Sequence, residues 1–592
     1  MKMKNKFMRP LALLLSMIML LTACGQTAEK ESSSSTAQQT SSASQSSAAA
    51  ESTQETAESE YPEYLNIDSP YPIIKDEYAD DITLTMVIGM QTDAGEWDDL
   101  WISKYLSEKY NINLEVEYVT GETRDERKNL MFAANELPDI MINCDITTAE
   151  LVKYGAEEDL FLQMDSYMNE TLTPNILKYM VDDTKAVCTA TDGHIYTLPY
   201  LQNTKESNYN LPARMFINNK WLQDLGLEKP KTLDEFVDVL YAIKEADPAG
   251  VGSENLYPMG GGMDTGNISW FLLNAMGYIA YDNDAYGLNP TLRDGEVVIP
   301  AYDMDIFKEY LALMNQFYTD GIIAPTYFTI DNTEINAYMN NGQTAMYPNA
   351  PYLPGNEDWA DYECLSPLTS EWQTEPEIAA TPSAKIGGFV ISADTEYPEL
   401  CMRLADAFFN NTDDYCAALY GGYGIDSEYS FGYLQKEYLA DSNSFAVDSS
   451  KTPGNISSWN YIVQYINGNT WEIGAILMPE SIERLAAMQG HPDYKEKLDT
   501  SGKNIWRTSV EENMMPYVAE GYPTILYAAT EVNEQITDLE SVIEPYAKEQ
   551  IARFITGKRP LSEIDAFKEE LKNLGMEDLL AIYTDMYASY KQ

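Results

Sequence analysis

Polar and apolar residues alternate from Ile82 to Ile88 and again from Asn113 to Val119. That period of two predicts strands whose side chains point to opposite faces of a sheet. Between them, Leu100, Trp101, Tyr105 and Leu106 recur at helical spacing and predict a helix over Asp98–Tyr110. A strand at Asp139–Asn143 and a helix near Thr148–Tyr154 continue the order. Strands that alternate with helices predict an α/β architecture with largely parallel sheets. The stretches Glu531–Phe554 and Ser562–Tyr590 carry a helical pattern, and no internal repeat interrupts the chain.

The pattern before residue 61 is of another kind. Lys2, Lys4, Lys6 and Arg9 precede an apolar run from Leu11 to Leu21, followed by Thr22-Ala23-Cys24-Gly25. A basic start, a short apolar core and small residues before a cut describe a secretory signal peptide. The apolar run falls short of the roughly 20 residues a spanning helix needs. Leu21-Thr22-Ala23-Cys24 is similar to a bacterial lipobox, which implies a lipid on Cys24 and an extracellular, lipid-anchored protein. Residues 25 to 60 are dominated by Ser, Ala, Gln, Thr and Glu. Such a segment cannot bury enough apolar surface to fold. As a coil of about 35 residues it would reach roughly 30–35 Å, enough for a tether.

Composition narrows the partners. The 592 residues are 44% hydrophobic, ample for a core and too long for one ordinary domain, so two lobes are expected. The formal charge is −56, and cleavage before Cys24 would remove four basic residues and no acidic one. That balance opposes nucleic acid and anionic head groups, whose binding needs Lys and Arg. Neutral or cationic small ligands fit it better. Beyond Cys24, five cysteines remain (Cys144, Cys188, Cys364, Cys401 and Cys416), scattered and odd in number, so free buried thiols are expected.

Several segments then resemble one family in its own order: Leu137-Pro138-Asp139-Ile140-Met141 with Tyr154-Gly155, and Asp192-Gly193-His194-Ile195-Tyr196-Thr197-Leu198-Pro199. Phe216 through Leu227 with Pro230-Lys231-Thr232, Asn341 through Met346, and Tyr397-Pro398-Glu399 before Asp406–Phe409 follow. Together they are similar to the family 1 extracellular solute-binding proteins of carbohydrate ABC importers. The resemblance spans about residue 80 to 592 and implies a two-lobed, periplasmic-binding-protein-like (type II) α/β fold with a ligand cleft between lobes. The boundaries it implies are 1–23 for the signal peptide and 24–60 for the lipidated tether. A first lobe would take 61–205 and 366–424, a second 206–365 and 425–592. Hinge crossings are expected near Tyr200–Asn210, near Pro348–Ser366 and after Gly424.

The same resemblance implies capture of an oligosaccharide and its delivery to ABC permease subunits by a monomeric receptor. Tyr and Trp rings offer flat faces to a sugar, while Asp and Asn bond its hydroxyls. By position, the expected ligand residues are Gln91 and Asp93 after the first strand, Asn143 and Asp145 after the Pro-Asp strand, then Trp270, Tyr352 and Trp459. Relatives of this branch often carry a calcium loop, and Asp247–Asn255 stands in its place. Calcium takes several oxygen ligands at alternating positions. Ala249 and Val251 supply no side-chain oxygen there, so no metal and no cofactor are expected.

Three rival readings stand beside this one. A glycoside hydrolase needs two carboxylates flanking the scissile bond, and none of the 94 acidic residues falls in a motif that marks such a pair. His194 and His491 are the only histidines, which opposes Ser-His-Asp chemistry and His-rich zinc sites, so no enzyme is expected. A surface lipoprotein that senses or captures glycan without transport would share the same cleft. A peptide or amino-acid binder is the third.

Overall fold

A computed structural model of the chain describes residues 61–201, 211, 214–263, 268–279, 285–348, 351, 358–379, 384–409, 462–468 and 502–591. Cys24, the tether, Tyr352, Trp459, Cys416 and the crossing expected after Gly424 lie outside the described residues. The strands, in chain order, are β1 (Thr83–Gly89), β2 (Asn113–Val119), β3 (Ile140–Ile142), β4 (Leu198–Leu201), β5 (Phe216–Asn218) and β6 (Thr291–Arg293). They continue with β7 (Glu296–Val298), β8 (Met346–Tyr347), β9 (Tyr362–Cys364), β10 (Ile378–Ala379), β11 (Ala384–Ile391) and β12 (Val518–Ala519).

The first sheet has the order β2-β1-β3-β11-β4. β1 is parallel to β2 and β3, whereas β11 runs antiparallel to β3 and β4. Its central strands are covered on both faces, and the alternation is visible in the packing. Met86, Ile88, Ile140, Ile142, Phe389 and Ile391 enter one core cluster, while Val87, Met141 and Val390 enter another. A sheet buried on both sides is the usual setting for parallel strands. β2 forms the edge and leaves several residues exposed.

Local signals explain most boundaries. The helix expected from Asp98 begins at Trp101 (α1, Trp101–Tyr110), because Leu100 is extended at ψ 146° and Trp97–Asp99 forms a separate 3-10 turn. Near Thr148 the helix opens on a capping box, in which Thr147 and Glu150 exchange side-chain and backbone bonds. It then widens into a π-helical turn, Leu151–Glu157. The C-terminal helix runs Thr530–Ile555, and the following stretch splits into Ile564–Asn573 and Met576–Tyr590 at Gly575, whose φ of 104° suits a residue without Cβ.

The second sheet places β5 between β8 and β9, antiparallel to both. Its core is a separate cluster, built from Phe216, Phe236, Phe271, Phe307, Phe554 and Phe567 among others. Helices Leu233–Ala246, Ile268–Ala275, Met304–Thr319 and Thr530–Ile555 contribute to it. Asn315 donates to the carbonyls of Phe554 (3.2 Å) and Ile555 (3.0 Å), so the end of the C-terminal helix is tied to the Met304–Thr319 helix.

Separate cores define two lobes: Leu201 packs in the first and Leu211 in the second. Leu365, Leu368 and Ile378 pack in the second lobe and Ala384 in the first. Residues 366–379 therefore pack with the second lobe, although the first lobe was expected to resume at 366. The reason is pairing: Thr369 bridges Thr232, and β10 pairs with β12, which holds 366–379 on the second lobe. Ile466 packs in the first lobe's core, so 425–592 is not wholly second-lobe either. Tyr527 packs on the first lobe and donates its hydroxyl to the Val187 carbonyl at 3.1 Å.

Candidate functional site at the strand ends

β1 and β3 end side by side, and their ends touch. A Cβ on Gly89 would collide with the Asn143 carbonyl, so only glycine permits this approach. Asn143 and Asp145 both take left-handed backbone angles, φ 52° and 49°, which Asn and Asp tolerate better than other side chains. The Asn143 amide donates to the Gly89 carbonyl at 3.3 Å, and its backbone N–H donates to the Gly388 carbonyl at 2.9 Å. β11 meets this corner through a register shift between Lys385 and Phe389. Gly387, at φ 73°, leaves no room for a Cβ against the Ile146 carbonyl. The ends of β1 and β3 and the register shift of β11 are thus pinned together by backbone contacts and the Asn143 amide.

That frame presents one carboxylate. Asp145, with its side chain 40% exposed, receives Arg124 Nη1 at 2.6 Å and has Lys385 Nζ at 3.7 Å. Arg124 opens helix α2 (Arg124–Ala134), and Lys128 lies one turn further on the same face. Lys128 is only 5% exposed and bonds the Asp145 carbonyl and the Glu150 carboxylate, each at 3.0 Å. Glu150 also accepts the Thr147 backbone N–H in the capping box, so the turn is braced from below. Arg124 Nε is buried with no hydrogen-bond partner among the described residues. Asp125 Oδ1 lies 3.6 Å from it, and the group combines a fixed acceptor with fixed cationic donors.

Gln91 and Asp93 lie in the turn that leaves β1, on the same edge of the sheet as Asn143 and Asp145. Both are exposed, and the Gln91 N–H donates to the Gly468 carbonyl at 3.3 Å. Four of the expected residues are accordingly brought to one edge. Tyr118, near the end of β2, is 41% exposed, with its hydroxyl 3.4 Å from Glu96.

Trp270 is not brought there as a stacking face. It is 2% exposed within Ile268–Ala275, a helix buried along its whole length, and it packs in the second lobe's core. An apolar pattern around the full helix circumference is the signature of burial, and Ile268-Ser-Trp-Phe-Leu-Leu273 carries it. Arg124, Lys128 and Lys385 went unnoticed in sequence because charged residues on an amphipathic helix or a sheet edge read as solvated. A separate groove of about 660 Å³ lies on the second lobe, lined by Asp234, Glu309, Gln316, Glu371 and Trp372 among others, and none of its lining residues belongs to the strand-end turns.

Cys144, Cys188, Cys364 and Cys401 are free and buried, as expected. Burial pushes the thiols of Cys144, Cys188 and Cys364 up to about 12. Thiolate chemistry at neutral pH is closed to them.

The fructooligosaccharide ABC transporter substrate-binding protein FusA of Streptococcus pneumoniae serotype 4 is 25% identical over 487 residues, which covers 79% of this chain and 82% of that protein. The solved structure of S. pneumoniae FusA in complex with kestose superposes with a TM-score of 0.65 at 22% identity, covering 86% of this chain and 99% of the other. An extracellular solute-binding protein from Bifidobacterium longum subsp. infantis superposes with a TM-score of 0.66 at 18% identity, covering 86% and 98%. The fold is the two-lobed, type II periplasmic-binding-protein-like α/β fold. Residues 91–411 match the bacterial extracellular solute-binding protein family, and the chain belongs to that family.

Proposed function

We propose that this chain captures an oligosaccharide between its lobes and delivers it to the permease subunits of an ABC transporter. The observation that carries the reading is the Asp145 group at the carboxyl ends of β1 and β3. A sugar hydroxyl both donates and accepts, and Asp145 with Arg124 and Lys385 offers an acceptor beside donors. Ligands of open α/β sheets bind at these strand ends. Gln91, Asp93 and Asn143 flank the group, Tyr118 adds an aromatic face, and Tyr352 and Trp459 are proposed as stacking partners. Likeness to FusA supports carbohydrate as the ligand class and an ABC permease as the partner.

Ligand that touches both lobes favours the closed form, because only that form gains both sets of contacts. No chemical step is assigned: capture and release are the cycle. The receptor is a monomer held at the outer face of the membrane by lipid on Cys24, with 25–60 as its tether. A thermal-shift and calorimetric screen of the purified chain against neutral oligosaccharides and short peptides tests the reading, since a ligand of the native state raises apparent stability. A sugar-dependent rise is expected. Silence across the oligosaccharides with a response to peptides would overturn it, and turnover of a bound glycan would refute the non-enzymatic cycle.

A further inference from the structure

The loop Asp247–Leu256 turns through three left-handed residues, Asp247 (φ 45°), Gly250 (67°) and Gly252 (90°). It stands where relatives of this branch carry calcium, and its donor chemistry does not fit that ion. Calcium takes six to eight oxygens, Ala249 and Val251 supply none from their side chains, and both Asp247 carboxylate oxygens accept N–H groups of the loop itself. Asp247 accepts the Val251 N–H at 3.0 Å on one carboxylate oxygen and the Gly252 N–H at 2.8 Å on the other. The Asp247 carbonyl accepts the Gly250 N–H at 2.9 Å, and the Gly252 carbonyl accepts the Asn255 N–H at 2.8 Å. Asn255 Nδ2 donates to the Val251 carbonyl at 3.0 Å, and Gln343 Nε2 to the Asn255 carbonyl at 3.1 Å. Among the described residues no group of three His, Cys, Asp or Glu side chains gathers to hold a metal.

A positive charge is nevertheless present. Lys244, in the last turn of the Leu233–Ala246 helix, donates through Nζ to the Leu256 carbonyl at 2.6 Å and the Gly321 carbonyl at 2.9 Å. Its ammonium lies 5.5 Å from the Tyr257 ring centroid, within cation–π range. We propose that Lys244 is the built-in cation of this loop, tying its exit to the Gly321 turn, so that the second lobe folds and binds ligand without calcium in the loop. Burial lowers the Lys244 ammonium from its ordinary value, a pull that the nearby Glu254 carboxylate opposes. The ammonium thus spans residues 256 and 321. The inference is independent of which ligand the cleft takes.

The test compares melting temperatures of the full chain in millimolar CaCl2 and in excess EDTA, for the unaltered protein, Lys244→Met and Lys244→Arg. The unaltered chain should melt at the same temperature, within about 1 °C, in both buffers. Lys244→Met should melt at least about 4 °C lower in both, since two carbonyls lose a charged donor, and Lys244→Arg should recover part of the loss. A calcium-dependent rise in the unaltered chain, or a Lys244→Met protein that melts unchanged, overturns the inference. If Lys244→Met fails to fold, the CaCl2 and EDTA pair on the unaltered chain together with Lys244→Arg still decides it.

Discussion

Asp145 and Asp247 occupy similar backbone positions and have opposite fates. Each takes a left-handed φ, 49° and 45°, just after an element of regular structure. Asp247 turns both carboxylate oxygens onto its own loop, so the side chain is consumed by the fold. Asp145 is held by side chains from elsewhere in the chain, Arg124 and Lys385, and keeps 40% of its surface. The paired lysines repeat the contrast. Lys128 braces the carbonyl behind a carboxylate that stays open, whereas Lys244 closes a loop on itself. A carboxylate spent on local N–H groups stabilises its loop, and one balanced by distant cations is left free to exchange a partner for a ligand.

The contrast breaks most sharply at Asp145. Asp145→Ala should weaken binding of the sugar identified by the screen by tenfold or more, about 1.4 kcal/mol, while the melting temperature moves little, since partly exposed ion pairs contribute modestly. Calorimetry beside a melting curve reads both, and unchanged affinity would show the site lies elsewhere. Asp247→Ala should do the reverse. Two N–H groups lose their acceptor, so a fall of about 2–5 °C with affinity within twofold is expected. Altered affinity without a melting shift would erase the distinction drawn between the two aspartates.

A third aspartate gives the smallest effect. Asp165 Oδ2 lies 3.1 Å from His194 Nδ1, and that hydrogen bond raises the imidazole above its ordinary value. A folded-state pKa above the unfolded one, near 6.5, means the contribution is full below that pH and fades as pH rises through the folded value. The imidazole is well exposed, so His194→Ala should lower the melting temperature by under about 2 °C at pH 5.5 and by less at pH 8.5. A larger loss at the higher pH would reverse the sign assigned to the pair.

Legibility followed the range of the interactions. β1, β2 and the first helix were readable because alternation and helical spacing record which side chains face a core. The insertion of β11 between β3 and β4 was not, since pairing with a strand more than 240 residues away leaves no local mark. The common location of Gln91, Asp93, Asn143 and Asp145 at strand ends was legible from the strand pattern. The cations that complete the group were not, because a lysine or arginine on a helix face looks the same whether it meets water or a carboxylate. Trp270 was expected at the ligand from its place in the family's order, and its burial was not legible from that place, because it follows from a helix packed on every side. The packing of 366–379 with the second core was not legible either, because the β10–β12 pairing joins residues 140 positions apart.

By itself, then, the sequence determined the element types, the α/β class, the family likeness and the strand-end positions, because periodicity and turn chemistry are local properties of a chain. Tertiary structure alone decided which cation meets which carboxylate, which residues share each core, and that Lys244 reaches the carbonyls of Leu256 and Gly321. Those outcomes depend on distances between residues far apart in sequence, and only packing sets such distances.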